Sequence, residues 1–316
     1  MPNTRQGSIH LFRIVGIDVF LHWTWFVVAV IEIGYMKNRY MSPIWSVLEY
    51  LALFLIVLLH EFGHALACRQ VGGSAHEIML WPLGGVAYVN PPQRPGAMLW
   101  SLAAGPLVNV ILLPPLGAAM FAAHMAGWAQ TMPDAYHWVE AVLFIDAVLL
   151  AFNLLPVFPL DGGQILRSLL WYFLGRGRSL AVATTVGLVG AAGFVIAALW
   201  LRSIWLVVIA GYMLMNCWKG LKGALALMKM EKIPRRNGFA CPSCGSKPLL
   251  GARWKCSNCG GIFDTFETGS VCPHCGVQHA NTLCVDCRTF SPMSEWAAAG
   301  AIPGVSAAAG SSPITQ

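Results

Sequence analysis

Residues 51–70, LALFLIVLLHEFGHALACRQ, combine a long apolar run with three residues that could do chemistry: His60, Glu61 and His64. If the run is a helix, the two histidines are four residues apart and lie one above the other on the same face. Glu61 then lies beside them, about 100° round the helix. Two imidazoles at this spacing can hold one Zn²⁺, and the carboxylate is placed to take a proton from an attacking water. The motif therefore predicts a zinc site with His60 and His64 as ligands and Glu61 as catalytic base.

The apolar setting of the motif argues against a chance match. An ionisable residue inside a membrane helix costs about 2.5–3.5 kcal/mol on insertion scales. Three such residues within one turn or so of helix therefore need a function. The alternative is a set of polar side chains that only pack against neighbouring helices.

The composition is that of a membrane protein. Of the 316 residues, 57% are hydrophobic and 11% are charged, and the mean hydropathy is +0.61, whereas soluble domains carry about 25% charged residues. The net charge of +6 does not indicate a nucleic-acid partner, because most Lys and Arg residues lie between apolar segments, where they set orientation in the lipid bilayer.

Apolar runs predict an all-α polytopic membrane domain over 1–225 with about six transmembrane helices. The expected spans are 17–36, 44–69, 97–123, 137–174 with an internal break, 180–201 and 204–221. The first segment is longer than a signal-peptide core and lacks a small-residue cleavage site, so we expect it to be retained. Pro114 and Pro115 are expected to kink or break the third span.

Two irregular segments are expected beside the motif. Residues 71–96 contain two β-prone runs around PLGG (82–85), which predicts a short hairpin over about 76–90 at the membrane boundary. Residues 153–164, NLLPVFPLDGGQ, place two prolines and two glycines at membrane depth, where broken backbone is tolerated only if it is buried in protein or lines a cavity. Asp161 is thus an intramembrane carboxylate on irregular backbone, and such a residue is functional by default.

The basic residues predict the orientation. The cluster at 219–236 falls on one side with most other basic residues, whereas only Lys37, Arg39 and Arg202 fall on the other. By the positive-inside rule both termini are cytoplasmic, and the chain is an integral protein of the cell (inner) membrane with its metal motif nearer the cytoplasmic face.

Eight of the ten cysteines lie between 241 and 287, all in C-x-x-C pairs. Each pair is half of a tetrahedral thiolate site, so two pairs close one zinc. Taken in chain order, the pairs predict one site from Cys241, Cys244, Cys256 and Cys259 and another from Cys272, Cys275, Cys284 and Cys287. Zinc and rubredoxin-like iron are both open as the metal, and a reducing cytoplasm disfavours disulfides.

These pairs predict a cytoplasmic double zinc ribbon over 240–290, joined to the membrane domain by a basic linker at 226–239. A unit of about 50 residues is too small for a large core, so its metals are expected to be structural. Its balanced charges disfavour nucleic acid as a ligand and favour regulation or a cytoplasmic protein partner. Residues 291–316, rich in Ala, Gly, Ser and Pro, are predicted to be a disordered tail.

HEFGH (60–64), PLGG (82–85), GPLVN (105–109) and NLLPVFPLDGG (153–163) together resemble the site-2 protease family of intramembrane zinc metalloproteases, over about residues 9–175. The resemblance implies that Asp161, in the L-D-G element, is the third zinc ligand. It also implies that Asn109 and Asn153 position the substrate. Asp146 lies where relatives tend to have a neutral amide; buried pairing is the expectation, and a proton-linked role is the alternative. The sequence shows neither a PDZ insertion nor a CBS domain, so regulation is not implied.

The predicted function is hydrolysis of peptide bonds within or near transmembrane segments of membrane-anchored proteins. A helical substrate must unwind to present its carbonyls, and the edge of the hairpin could then pair with the extended strand. Two alternatives are a catalytically inert membrane scaffold that recruits partners through its ribbons and a zinc transporter. The combination of three ligands with Glu61 favours the protease.

Overall fold

The computed structural model describes residues 7–35, 39–81 and 84–296. The chain forms two compact units, Met1–Met228 and Lys229–Gln316. Three expectations lie outside the described residues: the turn at 82–83, the position of Lys37 and the tail from 297 onward.

The first described elements are two strands and a short helix, not a transmembrane span. β1 (Ser8–Ile14) and β2 (Ile17–His22) pair antiparallel, and α1 (Thr24–Tyr35) follows. The predicted span at 17–36 is therefore wrong. The 12 residues of α1 extend about 18 Å, well short of a hydrocarbon core of roughly 30 Å. The apolar run misled because hydrophobicity alone does not separate a buried strand from a buried helix.

The helix α2 (Pro43–Gln70) carries the metal motif and leads into β3 (Ser74–Trp81) and β4 (Gly84–Asn90). β3 and β4 pair antiparallel, so the predicted hairpin is confirmed, but it belongs to a four-stranded sheet of order β1-β2-β3-β4. β2 and β3 pair parallel, which the long α1–α2 crossover between them permits. The unit is mostly helical, as predicted, and its sheet is larger than expected.

The sheet packs on one side of α2, and this contact makes the main core of the unit. Its buried apolar side chains are Ile17, Val19, Leu21, Trp25, Val57, Leu58, Ala65, Cys68, Ala75, Ile78 and Leu80. At the end of α2, Arg69 donates from Nε to the Ala75 carbonyl at 2.8 Å and from Nη2 to the Gly16 carbonyl at 2.9 Å. The guanidinium thus ties the β1–β2 turn and the start of β3 to the helix that carries the motif.

Three helices follow: α3 (Pro95–Met125), α4 (Trp128–Thr131) and α5 (Pro133–Leu154). α3 is continuous through both Pro114 and Pro115, so the helix is not broken there. Each proline removes a backbone donor, but membrane helices tolerate this where neighbours and local adjustment satisfy the freed groups. α3 contacts α2 and α5, which places it beside the metal motif.

The predicted break after α5 is present at 155–160, and α6 (Asp161–Leu201) then begins at the carboxylate itself. α6 bends at Gly175, whose φ of 77° lies in the left-handed region. The last helix of this series is α7 (Ile204–Glu231). Among the described residues, four helices are long and apolar enough to cross a membrane, namely α2, α3, α5 and α6. Six spans are not confirmed: the first expected span is a strand followed by a short helix, the expected span at 180–201 is part of α6, and α7 is not among the four.

The second unit contains two small hairpins. β5 (Trp254–Lys255) pairs with β6 (Ile262–Phe263), and β7 (Asn281–Leu283) pairs with β8 (Phe290–Pro292), which runs into α8 (Met293–Trp296). Each hairpin is too short to be stable alone. The unit therefore depends on the cysteine sites and on one small aromatic cluster.

That aromatic cluster extends beyond the predicted ribbon at its C-terminal end. Trp296 is buried, its ring lies 5.0 Å from that of Phe266, and its carbonyl accepts the Ala240 N–H at 2.9 Å. The predicted tail is therefore wrong for residues 291–296, which complete the core. The composition of the tail concealed this, because residues rich in Ala, Gly, Ser and Pro follow directly after Trp296.

The end of the predicted linker also belongs to the second unit. Arg235 forms a two-pronged ion pair with Asp286, at 2.6 and 3.1 Å. Arg236 donates to Asp264 Oδ2 at 2.7 Å and so gives a buried carboxylate its counter-charge. These arginines are structural contacts of the ribbon unit, and residues 235–239 are not a free linker.

Replacing Trp296 with Ala should destabilise the second unit by about 3–5 kcal/mol, the usual cost of removing a large aromatic side chain from a core. Denaturant unfolding of a metal-loaded 229–296 fragment measures the change. Phe290→Ala is the matched control, because Phe290 is 66% exposed and should matter little. Equal stability of fragments ending at 290 and at 296 would show that residues 291–296 are not part of the core.

Candidate metal centres

The histidines of the motif lie one turn apart on α2, as predicted, and both are buried. Their ring centroids are 4.8 Å apart, and the two Nε2 atoms approach to 3.1 Å. Two imidazoles presenting their Nε2 atoms to the same point are arranged as ligands of one cation.

Asp161 supplies the third donor. Its Oδ2 lies 3.0 Å from His60 Nε2 and 3.3 Å from His64 Nε2. A tetrahedral zinc with bonds of about 2.0–2.1 Å requires its ligand atoms to be about 3.3–3.4 Å apart. The three donors therefore fit one zinc ion with little movement, and three protein ligands leave one position open.

Hydrogen bonds at the far side of each ring set the tautomers that a metal needs. His60 Nδ1 lies 2.6 Å from Asn109 Oδ1, and His64 Nδ1 lies 2.8 Å from the Ser101 carbonyl. Both partners are acceptors, so each Nδ1 carries the proton and each Nε2 keeps a lone pair for the metal. Such outer partners are the usual means of fixing histidine ligands.

The segment 155–160 aims Asp161 at the histidines, and the two glycines after it make this possible. A Cβ on Gly162 would lie 2.4 Å from the Leu154 carbonyl oxygen, and one on Gly163 would lie 2.4 Å from the Phe158 nitrogen. No side chain fits where the start of α6 turns back against the preceding backbone. Placing Asp161 at the histidines therefore requires glycine at both 162 and 163.

The middle of the irregular segment packs against later helices. The Phe158 carbonyl accepts the Cys217 thiol at 2.9 Å, and Val157 packs with Ala191 and Met213. A Cβ on Gly190 would lie 2.5 Å from Val157 Cγ2, so this contact is close. The broken backbone at Val157 and Phe158 is therefore lined by protein, whereas Leu155 and Pro156 are exposed.

Glu61 lies beside the metal donors and outside their set. Its Oε2 accepts the Ala87 N–H at 2.9 Å, so the edge strand β4 holds the carboxylate. A Cβ on Gly85 would lie 2.2 Å from Glu61 Cγ, and only glycine allows the strand this close. Glu61 is therefore fixed at the metal site without being a ligand.

Asn109 is brought to the site. It is fully buried, and its amide accepts from His60 and donates from Nδ2 to Asp146 Oδ1 at 2.6 Å. These contacts orient a ligand, and the substrate role of Asn109 stays a prediction. Asn153 is half-buried in the last turn of α5, and its substrate role stays a prediction.

Sequence reasoning missed the groups that close around the ligands. Ser101 acts through its carbonyl and Ala87 through its N–H, and backbone groups leave no mark in the sequence. Gly105 had a signal, since it lies in GPLVN: a Cβ there would lie 2.3 Å from His64 Nε2 and 2.8 Å from His60 Nε2. α3 thus presents a bare backbone to the metal.

The eight cysteines of the second unit form two four-thiolate sites, but not in the predicted pairing. One site joins Cys241, Cys244, Cys284 and Cys287, and the other joins Cys256, Cys259, Cys272 and Cys275. The sites are nested: the first C-x-x-C pair combines with the last pair, and the second pair combines with the third. The predicted sequential sites are therefore wrong; hairpin β5–β6 carries Cys256 and Cys259 in its turn, and hairpin β7–β8 carries Cys284 and Cys287.

The sulfur separations fit a metal and exclude disulfides. Sγ–Sγ distances are 3.7 Å for Cys241–Cys287 and 3.8 Å for Cys244–Cys284 in the outer site. In the inner site, two are 3.7 Å. Tetrahedral zinc with Zn–S bonds of about 2.3 Å needs about 3.8 Å, whereas a disulfide needs about 2.05 Å.

The four turns that carry the cysteines share one backbone design. In each, the first cysteine's carbonyl accepts an N–H from the residue four positions on, at 2.8–3.0 Å. That residue has positive φ and is Gly245, Gly260, Gly276 or Arg288. Backbone N–H groups also favour the ligand form: the N–H of Val277, followed by the side chain of Asn258 and the neighbouring cysteines, lowers the pKa of Cys275 to about 6. Glycine meets this conformation without strain in three of the turns, and Arg288 occupies the fourth position.

Two histidines and an aspartate that converge between helices long enough to span a membrane, with a glutamate fixed beside them, define a membrane protein with a His₂Asp metal centre. A second class of site, two Cys₄ centres of zinc-ribbon type, lies in the other unit.

The model of Peptidase family M50 matches residues 49–132 and 115–197, which contain the whole His₂Asp centre. Over this region the chain is similar to family M50, the site-2 protease family.

Individual relatives are similar over part of their length. A zinc metalloprotease of Methanocaldococcus jannaschii is 34% identical over 182 residues, covering 57% of this chain and 50% of the relative. Stage IV sporulation protein FB of Bacillus subtilis is 35% identical over 120 residues, covering 37% and 38%. The chain spans about half the length of the curated relatives it matches. The solved site-2 protease of Methanocaldococcus jannaschii gives a TM-score of 0.49 at 29% identity, covering 68% of this chain and 95% of that one.

Replacing Gly105 with Ala should abolish metal binding at the His₂Asp centre, because the added methyl would overlap the space of both Nε2 atoms. Gly117→Ala in the same helix has nothing within 4 Å and is the matched control. Zinc content of the purified variants is the measurement. A Gly105→Ala protein with full zinc content would show that α3 does not close the centre.

Paired cysteine substitutions should distinguish nested from sequential sites. In the nested arrangement, Cys241→Ser with Cys284→Ser removes one metal, whereas Cys241→Ser with Cys256→Ser removes two. The sequential arrangement gives the reverse result. Metal counts by native mass spectrometry of the second unit decide between the arrangements.

Proposed function

We propose that this protein is an intramembrane zinc metalloprotease that hydrolyses peptide bonds within or near transmembrane segments of membrane-anchored proteins. One observation carries the proposal: His60, His64 and Asp161 meet within 3.0–3.3 Å, with Glu61 beside them, among helices apolar enough to span a bilayer. The family of the region supports the same activity.

The roles of the side chains follow from their geometry. When bound, zinc supplies Lewis acidity, which promotes loss of a proton from water and polarises a substrate carbonyl. Glu61 receives the water proton and delivers it to the leaving amine. The Ala87 N–H holds Oε2 of this carboxylate, which fixes the side chain and leaves Oε1 for proton transfer.

The edge strand β4 supports a model for substrate binding. β4 is the outermost strand of the sheet, and it contacts Glu61 through the backbone. An unwound substrate segment added along this edge would bring its peptide carbonyls next to the base. We therefore propose that helix-breaking residues near the scissile bond favour cleavage, with Asn153 assisting in holding the substrate.

The proposed metals are one catalytic zinc and two structural ions in the Cys₄ centres. Four thiolates fill a tetrahedral site and leave no position for a reacting water, so the ribbon unit does not perform the reaction. We propose that it tunes proteolysis or binds a cytoplasmic protein. Both termini are proposed to be cytoplasmic, in the cell membrane.

Replacing Glu61 with Gln should retain zinc and abolish cleavage, since the amide keeps the shape of the carboxylate but cannot take up a proton. The loss expected for a general base is at least 10²–10⁴-fold. Cleavage of a model transmembrane substrate in reconstituted vesicles and zinc content are measured together.

Asp161→Ala is the companion variant, and it should lose both zinc and activity. Cleavage by the Glu61→Gln protein at the normal rate would contradict the assigned base, and absence of cleavage by the native chain on every substrate would favour an inert scaffold. The same assay on a chain ending at Met228 tests the second unit: cleavage should persist with altered rate or selectivity.

A further inference from the structure

A chain of polar groups leads away from the metal centre into a third helix. His60 Nδ1 lies 2.6 Å from Asn109 Oδ1 on α3, and Asn109 Nδ2 lies 2.6 Å from Asp146 Oδ1 on α5. Asn109 and Asp146 are both fully buried. The three groups form a continuous path from α2 through α3 to α5, within the apolar part of the molecule.

Asp146, the residue of this path that is farthest from the metal centre, determines the order of donors and acceptors along it. A carboxylate only accepts hydrogen bonds, so Asp146 requires the amide NH₂ of Asn109 to face it. The amide oxygen must then face His60. An oxygen at that place accepts and does not donate, so His60 carries its proton on Nδ1 and offers the Nε2 lone pair to the metal.

An amide in place of Asp146 would not impose this order. Asn offers both a donor and an acceptor, so Asn109 could face it in either orientation. In one of these orientations the NH₂ of Asn109 points at His60, and the Nδ1 proton has no acceptor. A carboxylate at position 146 therefore fixes the orientation of the Asn109 amide, whereas an isosteric neutral residue does not.

We infer that Asp146 is a positioning residue of the metal centre, which selects the metal-binding tautomer of His60 by fixing the orientation of the Asn109 amide. The inference rests on the zinc site of the proposed function. It does not depend on the substrate or on proteolysis.

Packing alone explains a carboxylate at position 146 less well than the positioning role does. The second oxygen of Asp146, Oδ2, is buried and has no hydrogen-bond partner among the described residues. A carboxylate kept only to fill space would be replaced at no loss by an apolar residue of similar size. A cation held by His60, His64 and Asp161, reached through one amide, is the group that this negative charge would stabilise.

The test compares three full-length proteins in zinc buffers of defined free concentration: the native chain, Asp146→Asn, and the double variant Asn109→Asp with Asp146→Asn. In the double variant, an aspartate at 109 accepts directly from His60, and an asparagine at 146 donates to that aspartate. The polarity of the chain and its net charge are thereby restored.

The measurement is the amount of zinc bound per chain. The ions of the Cys₄ centres contribute a constant background, and the His60→Ala variant gives the amount that remains when binding at the His₂Asp centre is lost completely. Asp146→Asn should weaken zinc binding at this centre about tenfold, at the lower end of the range for outer partners of histidine ligands. The double variant should return to the native affinity. Glu140→Gln, an exposed carboxylate-to-amide change on the same helix, is the matched control and should have no effect.

Native zinc affinity in Asp146→Asn would overturn the inference. So would a loss in Asp146→Asn that the double variant does not restore, because Asp146 would then act by packing alone. Failure of the proposed function gives a different pattern: Asp146-dependent zinc binding with no cleavage of any substrate leaves the positioning role intact and removes the protease.

Discussion

The requirement that three donor atoms meet within 3.0–3.3 Å inside apolar surroundings governs the rest of the membrane unit. Two of the donors come from one continuous helix, but the third must come from backbone that is broken at the same depth. Lipid cannot satisfy broken backbone, so protein has to enclose it. The close contacts of Val157 and Phe158 with α6 and α7 meet this need, and they explain why small residues such as Gly190 and Cys217 occur there.

The sheet serves the same centre from a neighbouring face of α2. Apolar packing holds β2 and β3 against the helix, which leaves β4 at the edge with a backbone N–H directed at Glu61. The base is therefore positioned by strands and the ligands by helices. A change in the sheet could alter proton transfer without altering metal binding, and the reverse holds for the contacts of α3 and α6.

The sequence predicted the parts of the centre that carry chemistry in their side chains. Histidines four residues apart and an aspartate on broken backbone are recognisable because ionisable residues are costly in a membrane. The strand β2 was mistaken for a helix because both faces of a buried strand are apolar. The role of Asn109 and the nested cysteine pairing were not predictable, since both depend on which elements meet in space. Trp296 was missed because it stands directly before a stretch rich in Ala, Gly, Ser and Pro, whose composition predicted disorder.

The nesting of the two Cys₄ centres gives the second unit an order of assembly. Cys259 and Cys272 of the inner centre are 13 residues apart, whereas Cys244 and Cys284 of the outer centre are 40 apart. Loop-closure entropy favours the shorter loop by about 1 kcal/mol, from 1.5RT times the logarithm of the ratio of the two lengths. Once the inner loop is closed, the path between the outer pairs is shorter, and the second closure becomes less costly. When both centres bind metal, this order favours the inner centre first and the outer centre last, and the outer centre, together with the Ala240–Trp296 hydrogen bond, joins the beginning of the unit to its end.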